Sequence, residues 1–151
     1  VEPVELAAVV GQAVARVRRR AAVDFDVRTQ PWWVTGDAAD LERAITNLLD
    51  NAAKWSPPGG RVTVELRDGT LMVCDQGPGI AETDLPHVFE RFYRSPESRG
   101  MPGSGLGLSI VRTVAERHGG VVRAGSGPDG GAALWFSVPG TPAPPEVLAR
   151  S

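Results

Sequence analysis

The chain has 151 residues, 42% of them hydrophobic, which is enough for one domain with a proper core. A formal net charge of −2 and a pI near 5.7 argue against a nucleic-acid binder, which would carry a basic patch or stripe. A single cysteine, Cys74, leaves no intrachain disulfide framework, and neither an apolar run of about 18 residues nor a signal peptide at Val1-Glu2-Pro3 is visible, so a soluble chain in a reducing compartment is expected.

Leu6, Val9, Val10, Ala13 and Val17 recur at spacings of three and four, which predicts an amphipathic helix from about Val4 to Arg20. Val23–Arg28 alternates apolar and polar residues and Trp32–Thr35 is short and β-prone, so both read as strands. Asp37 is placed to cap a second helix, with acidic Asp40 in its first turn; the helix stops after Trp55 at Ser56-Pro57-Pro58-Gly59-Gly60. A hairpin follows: Arg61–Arg67, a type I′ turn at Asp68-Gly69, and a return over Thr70–Asp75. From Gln76 to about Gly103 there is no long period, only a short helical piece at Leu85–Tyr93, and so long a connection points to function or mobility. A third helix, Leu106–His118, opens in a glycine cluster and ends at Gly119-Gly120. A last hairpin, Val121–Gly125 and Ala132–Val138, turns over Ser126–Gly131, and the proline-rich tail from Pro139 is expected to be disordered.

Three places carry candidate chemistry. On the second helix Leu41, Ala44, Ile45, Leu48, Leu49 and Ala52 share one stripe, while Asn47, Asn51 and Lys54 fall within an arc of about 60° beside it. At the edge of a core, a carboxamide oxygen suits Mg²⁺ that bridges phosphate oxygens, and an ammonium suits a phosphate. The same residues read equally as a solvated polar face. Asp75-Gln76-Gly77-Pro78-Gly79 ends an apolar strand: its glycines let the backbone approach a ligand, and Asp75 could accept from an exocyclic amine, or simply cap a tight turn. Gly103-Ser104-Gly105-Leu106-Gly107-Leu108 opens a helix whose free N–H groups and dipole favour an anion; it fits neither the dinucleotide fingerprint nor a Walker motif.

Taken in order, Asn-x-x-x-Asn-x-x-Lys on a helix, Asp-x-Gly-x-Gly after a hairpin, a segment with two phenylalanines and Gly-x-Gly-x-Gly on a helix resemble the Bergerat-type ATPase/kinase superfamily. Within it, Asn47–Pro57 resembles the N box of sensor histidine kinases, Asp75–Gly79 their G1 box, Phe89–Arg94 their F box and Gly103–Leu108 their G2 box. The likeness runs from about Val4 to Val138.

The resemblance implies an α/β two-layer sandwich, a mixed sheet covered on one face by three helices, with a mobile ATP lid at about residues 76–103. It implies that Asn51 coordinates Mg²⁺, that Asn47 supports the metal or its waters, and that Lys54 contacts the phosphates. Asp75 would hold the adenine amino group, with Gly77, Gly79 and Ile80 shaping the pocket. Gly103, Ser104, Gly105, Leu106, Gly107 and Leu108 would back the phosphates and base, and Arg91 or Arg94 could swing onto the γ-phosphate. The family commonly has tyrosine after the N-box lysine, whereas Trp55 stands here; the larger ring could cover the adenine, or be a core aromatic.

Hydrolytic and serine-phosphorylating relatives carry a glutamate where Asn47 stands, and a neutral amide is no general base near pH 7. An imidazole acceptor needs less help, so a histidine kinase is the expected activity, with a gyrase-like ATPase, a serine kinase or a nucleotide-sensing module as rivals. Neither His87, expected exposed, nor His118, whose partial positive charge would suit a helix end, belongs to an H box; Cys74 reads as a small buried strand residue. The acceptor is therefore expected on a separate dimerisation domain, with a cognate response regulator downstream. The chain alone is expected to be a monomeric cytoplasmic domain, and the whole protein a membrane-anchored homodimer.

Overall fold

The computed structural model describes residues 1–93, 107–128 and 130–144. Its main sheet has five strands in the order β2 (Asp24–Thr29), β4 (Arg61–Arg67), β5 (Thr70–Cys74), β7 (Ala132–Ser137), β6 (Val121–Ser126). β2 and β4 run parallel, and every other neighbouring pair is antiparallel. Alternation along β4 turns Val62, Val64 and Leu66 inward. Register then lines up buried rows across three strands, Val64–Val73–Leu134 and Leu66–Leu71–Phe136. The β4–β5 turn has positive φ at both Asp68 (50°) and Gly69 (80°), as a type I′ turn requires.

Helices α1 (Leu6–Arg18), α2 (Ala38–Trp55) and α3 (Gly107–Arg117) cover one face of this sheet, with α2 in the middle against both others. The expected stripe on α2 is the buried one: Leu41, Ala44, Ile45, Leu48, Leu49 and Ala52. Asp37 caps the helix, its Oδ1 accepting from the Asp40 amide at 3.1 Å. The core is a single cluster in which the helix stripes meet the inward rows of the sheet.

The structure departs from the expected elements in three places. Residues Glu2–Glu5 form a strand, β1, paired antiparallel with β3 (Trp33–Gly36), and the helix begins only at Leu6. Pro3 favours extended backbone there, and the Glu5 carboxylate caps the helix by accepting from the Ala7 amide at 2.7 Å. The helix expected over Leu85–Tyr93 is one 3₁₀ turn, Leu85–His87, after which the chain turns through Phe92 at φ 63°. Helix α3 is described over Gly107–Arg117, and Leu106, where its start was expected, lies outside the described residues. The tail does not leave the fold at Pro139: Thr141 bridges Trp33, and the Trp32 indole donates to the Val138 carbonyl at 3.0 Å. The main-chain pairing and that indole give the proline-rich stretch an anchor that its composition does not reveal; residues 145–151 lie outside the described residues.

Candidate functional site

The burial of one α2 stripe leaves Asn47 and Asn51 half-buried at its margin and Lys54 exposed, its ammonium 5.7 Å from the Trp55 ring centre. The Asn47 amide donates to the Gly107 carbonyl at 3.2 Å, so α2 is tied to the first residue of α3. That bond uses the nitrogen and leaves the Asn47 oxygen for a ligand. Asp50, beside Asn51, is occupied by Arg20 through contacts of 2.6 and 3.2 Å, which hold the guanidinium pKa above its usual value. A groove of about 320 Å³ between α1 and α2 is lined by Arg16, Ala39, Glu42, Arg43, Thr46 and Asn47; of the expected site residues it borders only Asn47.

The end of α2 is sewn to the glycine turn after β5. Ser56 Oγ accepts from the Gln76 amide at 3.2 Å, and Gln76 Oε1 accepts from the Arg61 amide at 2.7 Å. Gly77 lies so close that a Cβ there would meet the Trp55 carbonyl oxygen at 2.5 Å. The need for glycine is therefore the approach to α2, which fixes the turn beside Trp55. Gly79 has φ +84°, and a Cβ on it would meet the Gly130 oxygen at 2.7 Å. Ile80 is partly buried against the core.

Asp75 is 5% exposed. Its Oδ1 accepts from the Gly77 amide at 2.9 Å and from the Ala132 amide at 3.0 Å. Burial pushes its carboxyl pKa up, and the two backbone donors oppose that shift without cancelling it. Both bonds converge on one oxygen, so Oδ2 is left to receive a ligand donor.

Three of the expected motifs thus meet at one end of the molecule: the later turns of α2, the end of β5 and the start of α3. Leu108 is partly buried against the core. Arg91 is exposed, its guanidinium 5.1 Å from the Phe92 ring, and Phe92 itself is 62% exposed. Arg94, Gly103, Ser104, Gly105 and Leu106 lie outside the described residues. Before them the chain is knotted by a hydrogen bond from Tyr93 to buried Asp84 and by a contact between His87 and Glu90.

His118, just past the last turn of α3, is held at both ring nitrogens. Its Nε2 accepts from the Asp37 amide at 3.2 Å, while Nδ1 lies 2.7 Å from the Val114 carbonyl oxygen. The ring thereby bridges the end of α3 to the start of α2. Sequence reading missed the parts played by Ser56, Gln76 and the Gly130-Gly131-Ala132 stretch. Only the glycine pair was visible as a signal, and it read as an ordinary hairpin turn.

Residues 36–142 match the family described as histidine kinase-, DNA gyrase B-, and HSP90-like ATPase. The chain is 52% identical over 155 residues to the signal transduction histidine-protein kinase/phosphatase MprB of Mycobacterium sp. (strain KMS), covering 95% of this chain and 30% of that protein. The MprB of Mycolicibacterium smegmatis is 49% identical over 161 residues, at 99% and 32% coverage. The chain therefore spans about a third of the length of these curated relatives. Among solved structures, a mycobacterial sensor histidine kinase MprB superposes with TM-score 0.88 at 47% identity, covering 94% of this chain and all of that one. The ATP binding domain of PrrB from Mycobacterium tuberculosis gives 0.72 at 26% identity, covering 92% and 96%.

Proposed function

The chain belongs to the histidine kinase-, DNA gyrase B- and HSP90-like ATPase family, within it to the sensor histidine kinases as their ATP-binding catalytic domain, and from that membership we propose that it binds Mg-ATP and donates the γ-phosphoryl group to a histidine on a separate dimerisation domain. The acceptor imidazole passes the group on to an aspartate of a cognate response regulator. Residues 4–138 make up the domain, with residues 76–103 as its ATP lid. The whole protein is a membrane-anchored homodimer with this domain on the cytoplasmic side; among the described residues no helix is long and apolar enough to cross a membrane.

Asp75 accepts the adenine amine through Oδ2, with Gly77, Gly79 and Ile80 against the base and Trp55 beside it. Lys54 neutralises phosphate charge, the G2 residues from Gly103 to Leu108 line the phosphates, and Arg91 or Arg94 approaches the γ-phosphate. The residues fit a magnesium ion: Asn51 makes no side-chain hydrogen bond to a described residue, so its carboxamide oxygen can serve as a neutral hard ligand, with Asn47 supporting. Among the described residues no group of three or more His, Cys, Asp or Glu side chains could hold a metal ion, so these neutral amides are the side chains that would hold it. Bound there, the ion would neutralise phosphate charge and orient the phosphoryl group.

The observation that carries the donor role is Asn47, an amide held against α3 by its nitrogen. It cannot take a proton from water or a hydroxyl, whereas an imidazole nitrogen brings its own lone pair. In the transfer a nitrogen–phosphorus bond forms, the bond to the β-phosphate oxygen breaks, and ADP leaves. The test is the full-length protein with γ-labelled ATP: acid-labile label on a histidine is expected, and its absence sinks the kinase reading. Steady ATP hydrolysis by the domain alone would favour the ATPase rival.

A further inference from the structure

We propose that the β6–β7 turn, through Gly131 and the amide of Ala132, is a positioning element that sets how strictly the site demands an exocyclic amine on its base. The proposal rests on the reading of Asp75 as the adenine acceptor. Gly131 does not occupy the left-handed region, so backbone freedom does not explain the glycine. Space does: a Cβ there would stand 2.0 Å from the Asp75 carbonyl oxygen and 2.9 Å from its Oδ1.

The next residue completes the grip. The Ala132 amide donates to Asp75 Oδ1 at 3.0 Å, and the Ala132 carbonyl accepts from the Asp75 amide at 3.0 Å. The turn itself is closed by a bond from the Gly127 amide to the Gly131 carbonyl at 2.7 Å, and Gly130 is interlocked with Gly79. The orientation of the acidic side chain is thus held from across the sheet, by a residue 57 positions away. With Oδ1 fixed by two amides, the carboxylate plane and hence the place of Oδ2 are set.

A side chain at 131 should push Asp75 out of that place while leaving the phosphate contacts on α2 alone. The readout is the ratio of affinities for Mg-ATP and for the triphosphate of purine riboside, which lacks the amine, measured by calorimetry on the wild type, Gly131→Ala and Gly11→Ala. A Cβ on Gly11, in α1 and outside the turn, meets nothing within 4 Å, so that variant is the control. The wild type and Gly11→Ala should prefer ATP by at least about tenfold. In Gly131→Ala the preference should fall to within about threefold, through lost ATP affinity with the analogue little changed. A purely structural role would weaken both ligands equally and leave the ratio intact. If the wild type discriminates and Gly131→Ala keeps its ratio, the positioning role is wrong. If the wild type itself does not discriminate, the acceptor reading of Asp75 fails and takes this inference with it. Should Gly131→Ala not fold, Ala132→Pro removes the donor to Oδ1 at the first residue of a strand, and the same ratio decides.

Discussion

Helix α2 faces the proposed ligand end of the molecule with side chains, whereas the end of β5 and the β6–β7 turn face it mostly with main chain and with glycines. On α2 the amides of Asn47 and Asn51 and the ammonium of Lys54 stand beside a buried stripe that would be the same without them. At β5 the same atoms do both jobs, since the bonds that orient Asp75 also join β5 to β7. Function and fold should therefore separate under mutation on α2 and stay entangled at the turn.

Substitutions can break or sharpen that contrast. The largest stability effect should come from beneath the α2 wall: Leu48→Ala removes a fully buried side chain and should cost about 2–5 kcal/mol in denaturant unfolding. A loss below about 1 kcal/mol would mean that α2 is not anchored by its stripe. Asp75→Asn comes next. Its oxygen can still accept from Gly77 and Ala132, but its NH₂ would face the ligand amine, so ATP affinity should fall by about 1–3 kcal/mol, roughly five- to 150-fold. Unchanged affinity in calorimetry removes Asp75 from the adenine site.

The same variant has a pH signature. A carboxyl whose folded pKa is raised above its unfolded value binds protons more tightly in the folded state, so ionising it opposes folding. That cost is present above the folded pKa and vanishes as pH falls toward the ordinary aspartate range. Without ligand, Asp75→Asn should gain stability on the wild type near neutral pH, and the gap should close as the buffer is acidified. A gap that widens on acidification contradicts the desolvation argument.

Asn51→Ala should leave stability almost unchanged and weaken nucleotide binding only when Mg²⁺ is present; equal losses with and without the metal would exclude a ligand role. The smallest effect is assigned to His118→Ala, about 1 kcal/mol of stability from the lost bond to the α2 amide. A change of that size seen only in nucleotide affinity would instead make His118 part of the site.

The side-chain wall was legible in the sequence because a helix writes its faces at fixed intervals. Six buried residues of α2 and its three polar neighbours all fell where the 3.6-residue period put them. The main-chain wall was not legible. Nothing in Gly130-Gly131-Ala132 distinguishes a turn that orients a carboxylate from one that merely reverses the chain, because the partner lies 57 residues away. Strand β1 was missed for a related reason: four residues pair only because β3 is there to receive them, and local pattern carries no trace of that. His118 showed a helix-end position but not its acceptor bond to Asp37, which depends on where α2 begins.

The bond from the Asp75 amide to the Ala132 carbonyl closes the end of the β5–β7 ladder, one residue beyond the last registered pair, Cys74 and Ala133, between strands separated in sequence by α3 and β6. Closing such a distant pair belongs to the slow, cooperative part of folding rather than to local turn formation. The Asp75 amide, at the end of that ladder, should accordingly exchange its hydrogen with solvent faster than the amides of the core strands, yet more slowly than an open turn. The proposed grip on a base would then loosen by fraying at one strand end, while the core beneath it stays closed.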